Sequence, residues 1–238
     1  MNTLELAKDI NCRACMPDPH IQFINIFLQN NRQSFKIIYD IGSAVLHWYD
    51  PVTNLLPDST VCCFEASSMP EEFYIEQGVA NYFIGALGKE NKTLNVQIHN
   101  YSRLINVYPE NVGISGISEK DFYWEERSIT TLKNAVTLKG FPYPDLIKMD
   151  VQGSELDIVQ GSPSVIKHAK ALILELPHVE FNIGAPDKET VIKYMSELGF
   201  RCMGEFCRNG VDGDFLFINQ DHQLDLKGLE KFFPDINF

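Results

Sequence analysis

No stretch of this sequence approaches the roughly 18 consecutive apolar residues that a membrane-spanning helix needs. Met1-Asn2-Thr3-Leu4-Glu5 also lacks the basic segment and apolar run of a secretory leader. Both absences argue against a membrane or exported protein, so a cytoplasmic chain is expected. Basic charge is scarce as well: 20 lysines and arginines stand against 32 aspartates and glutamates, for a net charge of -12. Binding a phosphate backbone depends on cations that displace counterions, so general nucleic-acid binding is not expected. A neutral or cationic small molecule suits the charge better. The six cysteines do not read as the disulfide framework of a small secreted domain, and reduced thiols are expected. Cys12-Arg13-Ala14-Cys15 has the spacing of half a zinc site, but a closed site needs four ligands and no second compact pair follows. No metal is therefore assigned.

What the sequence does have is enough apolar material for a core, at 45% of 238 residues, and one α/β domain is the default at this length. Residues 1–34 read as a helical cover. Ile21, Ile24, Phe27 and Leu28 share one stripe, and Pro17 and Pro19 divide a first short helix from a second. Residues 35–220 form the main domain and 221–238 a tail. A β-prone run, 35–40, ends in Asp40 and is followed by Gly42-Ser43-Ala44 and a helical stretch to about Leu56. A second run, 59–64, ends at Glu65, with a helix over 70–77 that has Pro70 in its first turn. The third run is 80–86. The polar link Lys89-Glu-Asn-Lys92 then predicts that 94–99 folds back as its antiparallel hairpin partner.

Residues 100–127 have no sustained period and read as a loop insertion. A fourth strand, 145–149, reaches Asp150 and is followed by a helix from Ser154; a fifth, 171–174, reaches Glu175 before Pro177. A helix over 188–198 and strands near 200–206 and 214–218 close the pattern. Alternating strands and helices, joined by right-handed crossovers, predict an α/β, Rossmann-like sheet with helices on both faces. The turn-rich Arg208-Asn-Gly-Val-Asp-Gly213 makes the last two strands an antiparallel hairpin on a mostly parallel sheet.

In such a sheet, ligands bind outside the carboxyl ends of the strands. Those positions hold Asp40, Glu65, Asp150 and Glu175. Asp40 could accept a hydrogen bond from a ligand or pair with its cationic end. Glu65, with two acceptor oxygens, is placed to take both hydroxyls of a ribose. Dinucleotide-binding folds share that acid, but Gly42-Ser-Ala-Val-Leu46 lacks the further glycines that let a pyrophosphate approach a helix. S-adenosylmethionine (SAM) has no pyrophosphate and tolerates their absence.

Asp40-Ile-Gly-Ser-Ala, Phe64-Glu65-Ala66, Gly85-Ala-Leu-Gly88, Ser128-Ile-Thr-Thr-Leu132 and Asp145-Leu-Ile-Lys-Met-Asp-Val-Gln-Gly-Ser-Glu155-Leu resemble the FkbM-type methyltransferases, in the same order, over about 36–220. The last motif, a strand ending in Lys-x-Asp-x-x-Gly-x-Glu, is the most specific. The resemblance implies the class I methyltransferase fold, SAM as cofactor, and O-methylation of a small hydroxylated acceptor such as a sugar, glycan or metabolite. It implies that Asp40, Gly42, Ser43 and Ala44 line the methionine part of SAM, Glu65 and Ala66 the ribose, and Ala86 and Leu87 the adenine side. Asp150 would face the reacting centre, and Asp150 and Gln152 would both contact the cofactor. Two departures stand out. Leu46 occupies the place of a second turn glycine, and Gln152 that of a glutamate.

Methyl transfer to a hydroxyl profits from a base within hydrogen-bond reach. Asp150 and His178 are the candidates, the latter because it follows the fifth strand in Glu175-Leu-Pro-His and has an ordinary pKa near 6.5. Glu155 is expected to cap the helix it opens rather than to take part in chemistry. Two other classes stay open: a methyltransferase fold kept as a non-catalytic interaction module, and a nicotinamide-dependent oxidoreductase.

Overall fold

The structure is a computed structural model describing residues 1–13, 15–234 and 236. Two helices open the chain, α1 (Thr3–Arg13) and α2 (Asp18–Asn30), the second started by Pro17 and Pro19. The stripe that α2 buries is Phe23, Ile24, Phe27 and Leu28; Ile21, expected on it, is 36% exposed, and Phe23 takes its place by stacking on Phe206 at 3.7 Å. Each such side chain stabilises the packing by roughly 1.5–3 kcal/mol.

The succession continues with β1 (Ile37–Ile41), α3 (Tyr49–Leu55), β2 (Thr60–Glu65), α4 (Glu71–Glu76) and β3 (Tyr82–Ile84). Next come β4 (Ala86–Leu87), β5 (Lys92–His99), β6 (Ile105–Asn106), α5 (Val112–Ser115), β7 (Phe122–Thr130) and α6 (Leu132–Lys139). The chain then forms β8 (Leu146–Met149), α7 (Glu155–Gly161), α8 (Pro163–Ile166), β9 (Ala171–Pro177), α9 (Lys188–Glu197), β10 (Phe200–Asn209) and β11 (Asp212–Asn219).

The main sheet has the order β10-β11-β9-β8-β1-β2-β3. Its strands from β9 to β3 are parallel, and β11 and β10 close it antiparallel, as the sequence led us to expect. Alternation along each strand sorts the core into two layers. Ile38, Cys63, Leu146 and Ile173 pack toward α1 to α4, while Tyr39, Cys62, Ile147 and Leu172 pack toward α6 to α9.

A second, smaller sheet has the order β4-β7-β5-β6. The hairpin expected between the third strand and residues 94–99 is not formed. Gly85, at φ +156, turns the chain away after β3, and β5 pairs antiparallel with β7 and β6 instead. The partner β7 begins inside the stretch that reads as a loop. Phe122 on it is buried, Trp124 is exposed, and Arg103 donates to the Tyr123 hydroxyl at 2.9 Å. Thr131 ends the strand and caps α6 by accepting from the Asn134 N–H, which explains the Ser128–Leu132 motif. Among the described residues, no helix is long and apolar enough to cross a membrane.

Candidate active site

A cavity opens at the carboxyl edge of the parallel strands. Ile41, Gly42, Ala44 and His47 line it from the turn after β1; Phe64, Glu65 and Ala66 from the end of β2; and Gly85, Ala86 and Leu87 from the exit of β3. Asp150, Val151, Gln152, Ser154 and Ile158 follow from the end of β8 and from α7, and Leu104, Ile105 and Val107 come from around β6. The small sheet thus supplies an apolar wall to a polar sheet edge.

The turn after β1 is held from both sides. The Gly42 and Ser43 N–H groups donate to the Phe64 carbonyl, at 2.8 and 3.1 Å. Gly42 has φ +82, and a Cβ there would lie 1.8 Å from the Asp150 carbonyl oxygen, so the turn crosses directly against the chain leaving β8. Glycine is therefore required by backbone packing as much as by any ligand. Leu46, the first departure from the family pattern, has φ +69 yet a wholly buried side chain. A left-handed leucine costs about 1–2 kcal/mol, an amount that burial of the side chain in the core offsets.

Glu65 is 7% exposed, and its two oxygens accept from the Ala44 N–H at 2.9 Å and the Ser67 N–H at 2.8 Å. Burial raises its pKa, and these main-chain donors offset part of that rise. Each oxygen retains acceptor capacity for a hydroxyl.

Asp150 is held by side chains. Lys148 donates to Oδ2 at 2.9 Å, and the Gln152 amide donates to Oδ1 at 3.2 Å and to Glu175 Oε2 at 3.0 Å. Burial acts to raise the Asp150 pKa, but the Lys148 charge and then hydrogen bonding with Glu175, Lys148 and Gln152 overcome it and hold the carboxyl well below the usual range. Glu175 moves the other way, raised by burial and by the charge of Asp150. Gln152, the second departure, has φ +55 and brings a neutral donor between two acids where a glutamate would add a third carboxylate. Glu155 is buried and accepts from the Val151 N–H at 3.0 Å, bracing this loop, and burial pushes its pKa up to about 7.

Eight of the residues expected to bind the cofactor, Gly42, Ala44, Glu65, Ala66, Ala86, Leu87, Asp150 and Gln152, meet in this one lining. Asp40 and Ser43 do not. Asp40 is wholly buried in register with Lys148, and neither carboxylate oxygen has a hydrogen-bond partner. Its pKa is pushed up to about 6 by burial, against the opposing charge of Lys148. The Ser43 hydroxyl donates to the Asp40 main-chain carbonyl at 2.6 Å and accepts from the Phe64 N–H at 3.2 Å, so it ties β1 to β2.

His178 also lies outside the lining. Lys188 Nζ is 3.1 Å from its Nδ1, and Glu205 Oε1 is 3.1 Å from its Nε2. An ammonium only donates, so Nδ1 is the acceptor and Nε2–H points at the carboxylate. The lone pair that a base needs is taken.

The residue that sequence reasoning passed over is His47. Residues after Ala44 read as helix, but α3 begins only at Tyr49, and the intervening turn puts His47 in the cavity lining. Its signal was its position directly after Leu46, at the end of the ligand-facing turn. Lys148 was likewise legible only as part of a motif. It is 5% exposed and is the cation that Asp40, Asp150 and Glu175 share.

Among the described residues, one cluster has the spacing to hold a metal: His20, Cys207 and Asp214. The Trp48 indole donates to His20 Nε2 at 3.0 Å, so Nδ1 carries the proton and donates to Asp214 Oδ2 at 2.7 Å. That chain is a structural hydrogen-bond relay with no lone pair left on the ring for an ion. A larger hollow of about 680 Å³, lined by Arg201, Asn219, His222 and Glu230, lies where β11 pairs with the start of β9. It is at the amino edge of the parallel strands, the opposite end from where α/β sheets bind ligands.

The cavity fits SAM. A buried diol acceptor, an apolar wall and the polar residues His47 and Ser154 belong to one lining. Residues 14–202 match the family described as Methyltransferase FkbM domain. No curated protein sequence matches the chain. Among solved structures, cofactor-bound Rv0187 from MTB is similar with a TM-score of 0.55, at 12% identity, over 92% of this chain and 89% of that one. Methyltransferase FkbM from Methylobacillus flagellatus KT gives a TM-score of 0.50 at 13% identity, over 77% of this chain and 44% of that one. The chain therefore spans less than half the length of that methyltransferase, and at these identities the likeness is one of fold.

Proposed function

We propose that this chain, which belongs to the FkbM methyltransferase family and takes S-adenosylmethionine as its methyl donor, methylates a hydroxyl group on a sugar or another small hydroxylated metabolite. One observation carries the reading: Glu65 and Asp150, at the tips of strands on either side of β1, line a single cavity walled by apolar residues.

Bound there, SAM supplies a methyl group on a positively charged sulfur. The chain's own task is alignment, since an in-line displacement gains most from holding acceptor oxygen and methyl carbon at reacting distance. Glu65 takes the ribose hydroxyls, while Ala86, Leu87, Ile105 and Ile158 offer an apolar surface to the adenine. Asp150, kept ionised by Lys148 and Gln152, presents a fixed negative charge to the positively charged end of the cofactor. The apolar wall keeps water from the reacting centre.

Leu46 and Gln152 each have a structural reason compatible with an intact site, which favours catalysis over a silent fold. The closed turn at Gly42, with a leucine anchored at position 46, leaves no glycine-lined approach for a pyrophosphate and disfavours a nicotinamide cofactor. A net charge of -12 favours neutral or cationic acceptors over nucleic acid.

The test is turnover of SAM with a panel of hydroxylated small molecules, following S-adenosylhomocysteine and identifying the product by mass spectrometry. A methyl ether is expected, with Asp150→Asn slowing its formation about 100-fold through lost positioning. Products methylated only on nitrogen or carbon, or an Asp150→Asn variant as fast as the parent, would overturn the reading.

A further inference from the structure

We propose that His47 is the general base of this site, taking the proton of the acceptor hydroxyl as the methyl group transfers. The inference rests on the O-methylation reading above and adds to it the residue that the sequence could not supply.

The lining contains three titratable side chains among the described residues: His47, Glu65 and Asp150. Glu65 is committed by the Ala44 and Ser67 N–H groups to the ribose end. Asp150 already accepts from Lys148 and Gln152, one on each oxygen, and a carboxylate stabilised in this way is a poor proton acceptor. His47 differs from both, because no hydrogen bond holds its ring: Nδ1 is enclosed and Nε2 is the nitrogen left open to a ligand in the cavity. The two histidines nearest in role are spoken for, His20 between Trp48 and Asp214, and His178 between Lys188 and Glu205. His47 thus combines an uncommitted ring with a place in the cavity.

Its position is fixed by its neighbours. Leu46 and Trp48, on either side in sequence, are both buried in the core, so the backbone at His47 is anchored although its ring is not bonded. The charged and titratable groups facing the ring are Lys148 and Asp150 from β8 and its exit, and His20 from α2. Burial first, then Lys148 and His20, favour the neutral imidazole, while Asp150 favours the charged one. A neutral ring is the form that can accept a proton, and Asp150 is there to steady the imidazolium that results.

The step balances. The acceptor oxygen forms its bond to the methyl carbon as the carbon–sulfur bond breaks, and that electron pair stays on sulfur as a neutral thioether. The hydroxyl proton moves to Nε2 of the imidazole, Nδ1 keeping its own hydrogen, and the imidazolium returns it to solvent after the products leave.

His47→Gln tests the assignment, with His178→Gln as a control outside the cavity. In the cofactor-free protein, the His47 ring signals in histidine-labelled NMR spectra should titrate below the ordinary histidine range and vanish in His47→Gln. Calorimetry should show SAM affinity unchanged in that variant, while kcat falls about 100-fold and the acidic limb of its pH profile disappears. His178→Gln should keep the parent kcat and that limb. A His47→Gln variant that turns over normally overturns the assignment. So does one that loses SAM affinity in proportion to kcat, which would make His47 a cofactor contact. A parent protein that forms no methyl ether with any acceptor overturns the O-methylation reading itself, a result separable from either of these.

Discussion

Glu65 and Asp150 occupy equivalent places at the tips of strands flanking β1, yet they are held by different means. Glu65 is gripped by two main-chain N–H groups. Asp150 is gripped by a buried lysine and an amide that also spans Glu175. Main-chain donors are fixed once the turn folds and carry no charge that must be balanced. A buried lysine has to be matched by acids, and here it draws in Asp40, Asp150 and Glu175 together. The ribose end of the cavity is therefore a product of backbone geometry, and the reacting end a product of charge balance. Substitutions should separate the two.

The largest effect is expected at Lys148. Lys148→Met removes the cation the acids share and leaves buried carboxylates facing one another, a change that costs about 3–5 kcal/mol. Chemical denaturation at pH 8 measures it, and a loss below about 1 kcal/mol would mean that the reacting end is not organised by charge.

Asp40 gives the next effect, with the opposite sign. Its pKa rises on folding from 3.8 to about 6, so the native state binds the proton more tightly than the unfolded chain. Stability from this group is thus full below about pH 4 and is lost as pH rises through about 6. Asp40→Asn removes the titration and keeps the shape. The variant should match the parent near pH 4 and exceed it at pH 8 by about 2–3 kcal/mol, read from denaturation curves at the two pH values. An Asp40→Asn protein less stable than the parent at pH 8 would show that the carboxylate is needed as a partner for Lys148.

The smallest effect belongs to the backbone-held end. Glu65→Gln retains one acceptor and should weaken SAM binding about tenfold, or about 1.4 kcal/mol, and it leaves one of the two main-chain N–H groups without its acceptor, at a stability cost of about 1–3 kcal/mol. Unchanged affinity by calorimetry would remove Glu65 from the ribose contact.

Much of this was readable before folding was considered. The acids at 40, 65, 150 and 175 mark strand ends because a β-prone run followed by an acid and a turn is a local pattern. The terminal hairpin follows from its turn residues. The partner of residues 94–99 was not readable in the same way. A polar link of the right length is compatible with a hairpin, and only the turn of the chain at Gly85 sends β5 to β7, more than twenty residues further on. The histidines make the point most clearly. His178 was a candidate base because it follows the fifth strand, yet Lys188 and Glu205 reach it from α9 and β10.

By itself, then, the sequence determined the order of strands and helices in the main sheet, its parallel strands with their antiparallel close, and the set of acids available at one edge, because periodicity and turn chemistry act over a few residues. Which acid is ionised, which histidine keeps a lone pair, and that Asp40 supports the site from below rather than lining it were decided by tertiary structure alone. Burial and charge act through space, and the residues that set them come from strands, turns and helices scattered between His20 and Glu205.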